Sequence, residues 1–430
     1  MSTAPLMPAM AIRTNVLDSF RTWTVALVFL TSFVSTFQPA PCDIFFVLAF
    51  LFSLHGGLRL SVVLMPLLLL LMIYNLSGLV SYLLIPFDRL DSHIYLIGLA
   101  YTSFSGFYFA AYIADDPARR FRQIMKSYWI AATIGAILGL LVYFEIIPTN
   151  VFLPGYNSRT VGAYKDPNVY STWLVLPFVT MLQGFIMGTL RLRPLSVISF
   201  LLIFAALFLA FSRGAWIDTL LGSILMNGLT YVLSPSKQAR VRIVLAGFGG
   251  IIFLAVVMTV LLSIPATRDV FLDRFTLVKS YDAGETGRFG NQLNAIPLLL
   301  QRPFGFGPYQ FEELFGIAPH NTFLNSFASA GWAGGISYFL FVVSTIIVGV
   351  KSLFIRSPLQ PYAIVVFSCY LPMALQGIQI DTEHWRHLYW MVGMIWGLYA
   401  ANLQYIRVPA AISEFYQGWN LKMSNGPAQH

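Results

Sequence analysis

The sequence predicts an all-α polytopic membrane protein, with about twelve transmembrane helices and one large loop between the ninth and tenth. Composition is the first reason: 57% of the residues are hydrophobic and only 10% are charged, with a mean hydropathy of +0.71. A soluble domain carries about 25% charged residues. The second reason is the recurrence, along 430 residues, of apolar runs of about 20 residues, the length that crosses a bilayer as a helix. The third is that runs such as 61–71 are apolar on all faces, so the alternation of barrel strands is absent.

The apolar runs fall at about 22–38, 43–56, 61–85, 93–114, 126–147, 168–189, 195–211, 214–234, 243–264, 335–355, 361–380 and 387–405. The second is short enough to be tilted or re-entrant. Residues 1–430 read as one integral membrane domain, and 265–319 as the large loop with short helices. The segment Met1–Arg21 has two arginines but no short apolar core before a cleavage site, so it reads as a cytoplasmic lead into the first span. Cys42 and Cys369 are the only cysteines, too few for a disulfide framework or a cysteine metal site.

Charge orients the spans. One set of alternate loops holds most of the 26 Lys and Arg residues: Arg13 and Arg21; Arg59; Arg119, Arg120, Arg122 and Lys126; Arg191 and Arg193; Lys237, Arg240 and Arg242; Lys351 and Arg356; Arg407 and Lys422. Positive loops stay cytoplasmic, so this set and both termini are expected inside. The same loops account for the net charge of +8 through topology and contact with anionic membrane lipid, without nucleic acid.

The opposite face carries charge that the orientation rule does not explain. It holds Arg159, Lys165, Asp166 and Asn168; Arg213; Arg288 and Arg302; His320; and Asp381, Glu383, His384, Arg386 and His387. Their collection on one side points to a shared extracytoplasmic site.

Each group has a structural reading beside the functional one. Arg213, in Phe211-Ser-Arg-Gly-Ala-Trp216, sits between two spans with almost no loop. It either pairs with Asp218 or snorkels, or its planar fork of donors binds phosphate oxygens. Arg288 follows Glu285-Thr-Gly and is either an exposed loop cation or a second arm on a pyrophosphate. The amphipathic run 291–300 behind it lies on the membrane surface or packs on the bundle. In Lys165-Asp-Pro-Asn168, Asp166 and Asn168 read first as helix caps with Pro at the first turn. Lys165 and Arg159 add positive charge that capping does not explain. His320 begins His-Asn, then nine residues, then Gly331-Trp-Ala-Gly334; it is a cap, or a neutral imidazole that takes a proton from a sugar hydroxyl near pH 7. Gly331, Gly334 and Gly335 would let backbones approach closely. Asp381, Glu383, His384 and His387 are candidates to orient His320 or bind a sugar; their spacing fits no standard metal pattern.

These residues resemble the O-antigen ligase and O-antigen polymerase superfamily of bacterial envelope glycosyltransferases. The resemblance rests on Phe211–Trp216, on Thr286-Gly-Arg288, and on His320-Asn321 followed after nine residues by Gly331 and Gly334. Similar features extend from about residue 159 to 399; the first 150 residues match only in being several spans. The resemblance implies a metal-independent inverting transferase of the GT-C type at the periplasmic face of the inner membrane, using no cofactor. It implies an undecaprenyl-pyrophosphate-linked glycan as donor. The acceptor is lipid A-core for a ligase, or a second lipid-linked glycan for a polymerase. At matching positions it gives catalytic roles to His320, Arg288 and Arg213; Arg159, Lys165, Asn321 and Arg386 are expected on the substrate side. Ligase is the reading favoured by the layout. A lipid-linked glycan transporter is the competing class, disfavoured because most spans carry no charge at mid-membrane.

Overall fold

The computed structural model describes residues 16–58, 60–85, 90–156, 159–233, 237–263, 268, 271–272, 284 and 287–407. The N-terminal lead up to Asn15, most of the first half of the large loop, and the tail with Lys422 lie outside them.

Among the described residues the chain is almost wholly helical. The helices are α1 (Val16–Leu30), α2 (Pro41–Gly56), α3 (Met65–Leu83, entered through the 3-10 turn Val62–Leu64), α4 (Leu90–Asp115) and α5 (Pro117–Tyr143). Then follow α6 (Pro167–Met187), α7 (Pro194–Leu209), α8 (Arg213–Leu233) and α9 (Lys237–Ser263). Two short helices, α10 (Arg288–Leu300) and α11 (Gln310–Phe315), precede α12 (Thr322–Leu353), α13 (Gln360–Gln376) and α14 (Arg386–Arg407). Each expected apolar run overlaps a helix, although the first helix ends at Leu30, short of the expected 38; among the described residues 7 helices, against the twelve spans expected, are long and apolar enough to cross a membrane. This is a multi-pass membrane protein.

The centre of the bundle is α4 against α14. No side chain separates them where Gly393 and Gly397 meet α4: a Cβ there would stand 2.7 Å from the carbonyl oxygens of Gly106 and Ala110. Small residues that let backbones touch are the usual basis of tight packing between membrane helices. Buried aromatics fill the space around the pair, among them Tyr74, Tyr128, Trp173, Tyr338 and Trp390.

At one end of the bundle β1 (Val34–Ser35) pairs in parallel with β2 (Ala163–Tyr164), and the Tyr164 hydroxyl donates to the Ser32 carbonyl at 2.7 Å. This ties the α1–α2 turn to the segment before α6. At the other end Arg21 and Arg120 are buried and share Asp18 and Asp115, with Arg120 2.7 Å from Asp115. Arg119 sits 2.6 Å from Asp116. These arginines, counted from sequence as loop charges setting topology, are held in a carboxylate cluster that brings α1, α4 and α5 together.

α12 departs from the expected span at 335–355. Its helix begins at Thr322, and Gly331 interrupts it with φ 68° and ψ −169°, a conformation open essentially to glycine. The turn 302–307 threads into the interruption: Trp332 N donates to the Pro303 carbonyl at 2.9 Å, and Phe306 N to the Ala328 carbonyl at 2.7 Å. A Cβ on Gly331 would stand 2.4 Å from the Pro303 oxygen. The His-x9-Gly spacing thus measures a half-helix of two to three turns, with a clamp at each end. Gly331→Ala should destabilise the folded protein by about 1–3 kcal/mol, the cost of forcing such backbone on an ordinary residue. Thermal unfolding in detergent would measure this, and an unchanged midpoint would refute the account of the kink.

Candidate active site

The loop 377–385, between α13 and α14, is where the site assembles. Asp381 is its centre. Its Oδ2 accepts from His320 N and its Oδ1 from Asn321 N, both at 3.0 Å. These two bonds hold His320 at φ 46°, a left-handed conformation that a non-glycine residue adopts at a cost of about 1–3 kcal/mol. The imidazole Nδ1 stands 3.8 Å from Asp381 Oδ2, and the side chain is 37% exposed. One carboxylate therefore fixes the backbone of His320 and stands beside its ring.

Asn321 caps α12, its side-chain oxygen accepting from Leu324 N at 3.1 Å, as an N-cap residue does. Thr322 closes the join: its N donates to the Gly377 carbonyl at 2.7 Å, its hydroxyl donates to the Ile380 carbonyl, and it accepts from Thr382 N. Behind it Glu383 is buried and accepts from Asn325 Nδ2 at 2.6 Å. Tyr95 reaches Glu383 at 3.5 Å and Ser329 at 3.2 Å. The His384 ring lies 3.5 Å from Glu383 and 3.1 Å from the Tyr95 carbonyl.

The two carboxyls titrate apart. Burial and the neighbouring Glu383 charge push the Asp381 carboxyl up to about 8, against the pull of the two backbone N–H donors. Burial also works to raise Glu383, but the hydrogen bonds from His384 and Asn325 outweigh it and hold that carboxyl below its usual range. One buried negative charge next to another acid is the ordinary cause of such a split.

The arginines approach the same loop from two directions. Arg288 is the first residue of α10, and its Nη1 donates to the Gln379 carbonyl at 3.4 Å. Its guanidinium lies 4.6 Å from the Phe289 ring. Arg213 is the first residue of α8. Next to it, Gly214 lies so close to Gln376 that a Cβ would overlap the amide nitrogen, so this corner stands against the last residue of α13. Arg213, Arg288 and His320 thus each border one short stretch, Gln376–Asp381. Asp218 forms no ion pair with Arg213; it is buried, with one carboxyl oxygen lacking a hydrogen-bond partner among the described residues.

The remaining sequence candidates lie at the same end. Arg159 is buried and donates to the Ala210 carbonyl at 2.6 Å and to Asn168 Oδ1 at 2.9 Å, so it braces the α7–α8 corner three residues before Arg213. Asp166 is the α6 cap expected of it, accepting from Asn168 N and Val169 N. Lys165 is exposed. Arg386 grips Asp43 through two bonds, 2.8 and 2.6 Å, with a third to Ser35 Oγ at 3.1 Å. Sequence reasoning had not paired those residues. Among the described residues no group of three or more His, Cys, Asp or Glu side chains is placed to hold a metal ion.

Residues 198–339 match a family model described as O-antigen ligase. This match supports the resemblance of this segment to the O-antigen ligase and polymerase superfamily. The O-antigen ligase match spans about a third of the chain and contains Arg213, Arg288, His320, Asn321 and Gly331. It ends before Asp381 and begins after Arg159 and Lys165. No curated protein matches the chain. The sequence offers Asp381 only as one of several candidates to orient His320, and it gives no sign of Tyr95, Gln376 or Gln379. Asn325 and Ser329, one and two turns after Asn321, carried a periodic signal of a polar face. Tyr95 lies more than 200 residues away and carried none.

Proposed function

We propose that this protein is an O-antigen ligase-type glycosyltransferase of the bacterial inner membrane. It moves a glycan from undecaprenyl pyrophosphate to a lipid A-core acceptor at the periplasmic face. The observation that carries this reading is the convergence of Arg213, Arg288 and His320 on the Gln376–Asp381 stretch. The O-antigen ligase match over residues 198–339 supports the substrate class.

The step is a displacement at the anomeric carbon with inversion. The acceptor hydroxyl oxygen forms the new glycosidic bond, the bond to the pyrophosphate oxygen breaks, and the hydroxyl proton passes to His320. The electron pair leaves with undecaprenyl pyrophosphate. Arg213 and Arg288 meet the charge that develops on that leaving group. Preorganised cations aimed at developing charge are the largest single source of stabilisation in many enzymes, so this chemistry needs no metal. Asp381 is a positioning residue: it sets the His320 backbone and, once ionised, strengthens the ring as a base. Lys165 and Asn321 meet the substrate glycans, while Arg159 and Arg386 keep the surrounding corners in place.

Purified protein given lipid-linked repeat units alone, and then with lipid A-core, tests the reading. Transfer that begins only when lipid A-core is added is the expected result. Longer chains on undecaprenyl pyrophosphate without lipid A-core would make the protein a polymerase, and no glycan transfer in either mixture would refute both.

A further inference from the structure

The helix α10 has two faces of different character. Asn291, Ala295 and Leu299 are buried, and Ala295 and Leu299 pack with Phe306, Phe311 and Ala328 in a small separate core. On the other side Phe289, Leu293, Ile296 and Leu300 are 52%, 68%, 47% and 66% exposed. Their spacing of four, three and four residues puts them on one helical stripe. Four large apolar side chains in a row, open to the surroundings, are costly in water.

The position of α10 says what covers the stripe. Its C-terminal end is bonded to the kink in α12: Trp332 Nε1 donates to the Leu299 carbonyl at 2.9 Å. Beyond the kink α12 runs for about 22 residues, which at 1.5 Å each is about 33 Å, the thickness of a hydrocarbon core. The kink therefore stands at the membrane boundary. The exposed side chains of α12 from there on, Trp332, Ile336, Phe339 and Leu340, continue the apolar surface of α10 into the bilayer. Trp332 is the residue type that collects at such boundaries. At the other end of the helix the Arg288 guanidinium rests on the Phe289 ring, placing a cation at the head of the stripe.

We propose that α10 lies in the surface of the bilayer as an interfacial helix. Phe289, Leu293, Ile296 and Leu300 contact acyl chains, and this anchorage fixes the depth at which Arg288 is presented. The anchorage is a claim about lipid contact and stands whether or not the transferase reading holds; only its consequence for Arg288 rests on that reading. An amphipathic helix of this kind buries its apolar face about 5–10 Å below the headgroups, which would leave Arg288 level with lipid phosphates and with a lipid-linked pyrophosphate.

The test uses the full chain in phospholipid vesicles. Leu293→Cys and, as a control at an exposed acidic residue of α11, Glu312→Cys are each labelled with an environment-sensitive fluorophore. Brominated phospholipid should quench the label at position 293 several-fold more than at 312, and aqueous iodide should do the reverse. Iodide quenching of position 293 equal to that at 312 would overturn the proposal. So would quenching by neither agent, since the stripe would then be covered by protein. Correct folding of the labelled variants is checked by their thermal unfolding midpoints.

Discussion

His320→Ala should lower glycan transfer by about 10²–10⁴-fold, the contribution of a positioned general base, while leaving insertion and folding intact. The ring is 37% exposed, so truncation leaves no buried void, and the Asp381 clamp is made by backbone N–H groups that alanine retains. Single-turnover transfer with purified protein is the measurement, and a rate within a few-fold of wild type would remove His320 from the chemistry. Asp381→Asn removes the charge and keeps one of the two clamp bonds, because its amide nitrogen cannot accept from the second backbone N–H. The raised carboxyl is neutral below about pH 8 and charged above it. Its negative charge 3.8 Å from Nδ1 favours protonation of the ring and so makes His320 a stronger base. The wild-type kcat/KM should therefore climb through a limb centred near pH 8. In Asp381→Asn that limb should be missing, and a surviving limb would mean another group sets it.

Arg213→Ala and Arg288→Ala should each cost about 10²–10³-fold in transfer, the scale for removing one preorganised partner of developing charge. Lysine should rescue little, because a point charge does not reproduce a planar fork on two phosphate oxygens. The two losses should not add if both arginines serve one pyrophosphate, because neighbouring residues acting on one group couple. The arginine role also makes a binding claim that His320 does not share: undecaprenyl pyrophosphate should bind more weakly to either arginine variant and about equally to His320→Ala. Equal binding to all three proteins would separate the arginines from the donor.

The legible part of the architecture was that written in local composition. A run of about 20 apolar residues can satisfy its backbone in lipid only as a helix, so each expected run overlaps a helix, with the first one stopping at Leu30. Capping chemistry is equally local, and Asp166 caps α6 as its Asp-Pro-Asn setting implies. The His-x9-Gly pattern could be seen but not interpreted. Its meaning depends on the Pro303 carbonyl, which enters the kink from a different segment.

The charges show the same division. Arg119, Arg120 and Arg386 were visible as charges, but their partners Asp18 and Asp43 come from other helices. A sequence records that an arginine is present, while its availability to a substrate depends on which carboxylates the fold brings to it.

By itself the sequence determined that the chain is a helical membrane protein, because hydropathy and period act over one or two turns. It also determined which titratable residues collect on one side, because loop charge alternates with the spans. Only the tertiary structure decided that Asp381 holds His320, that Arg288 reaches the Gln379 carbonyl, and that the Arg213 corner stands against Gln376. Those contacts join segments tens to more than a hundred residues apart. Nothing in local propensity specifies such pairs; they follow from how the helices pack.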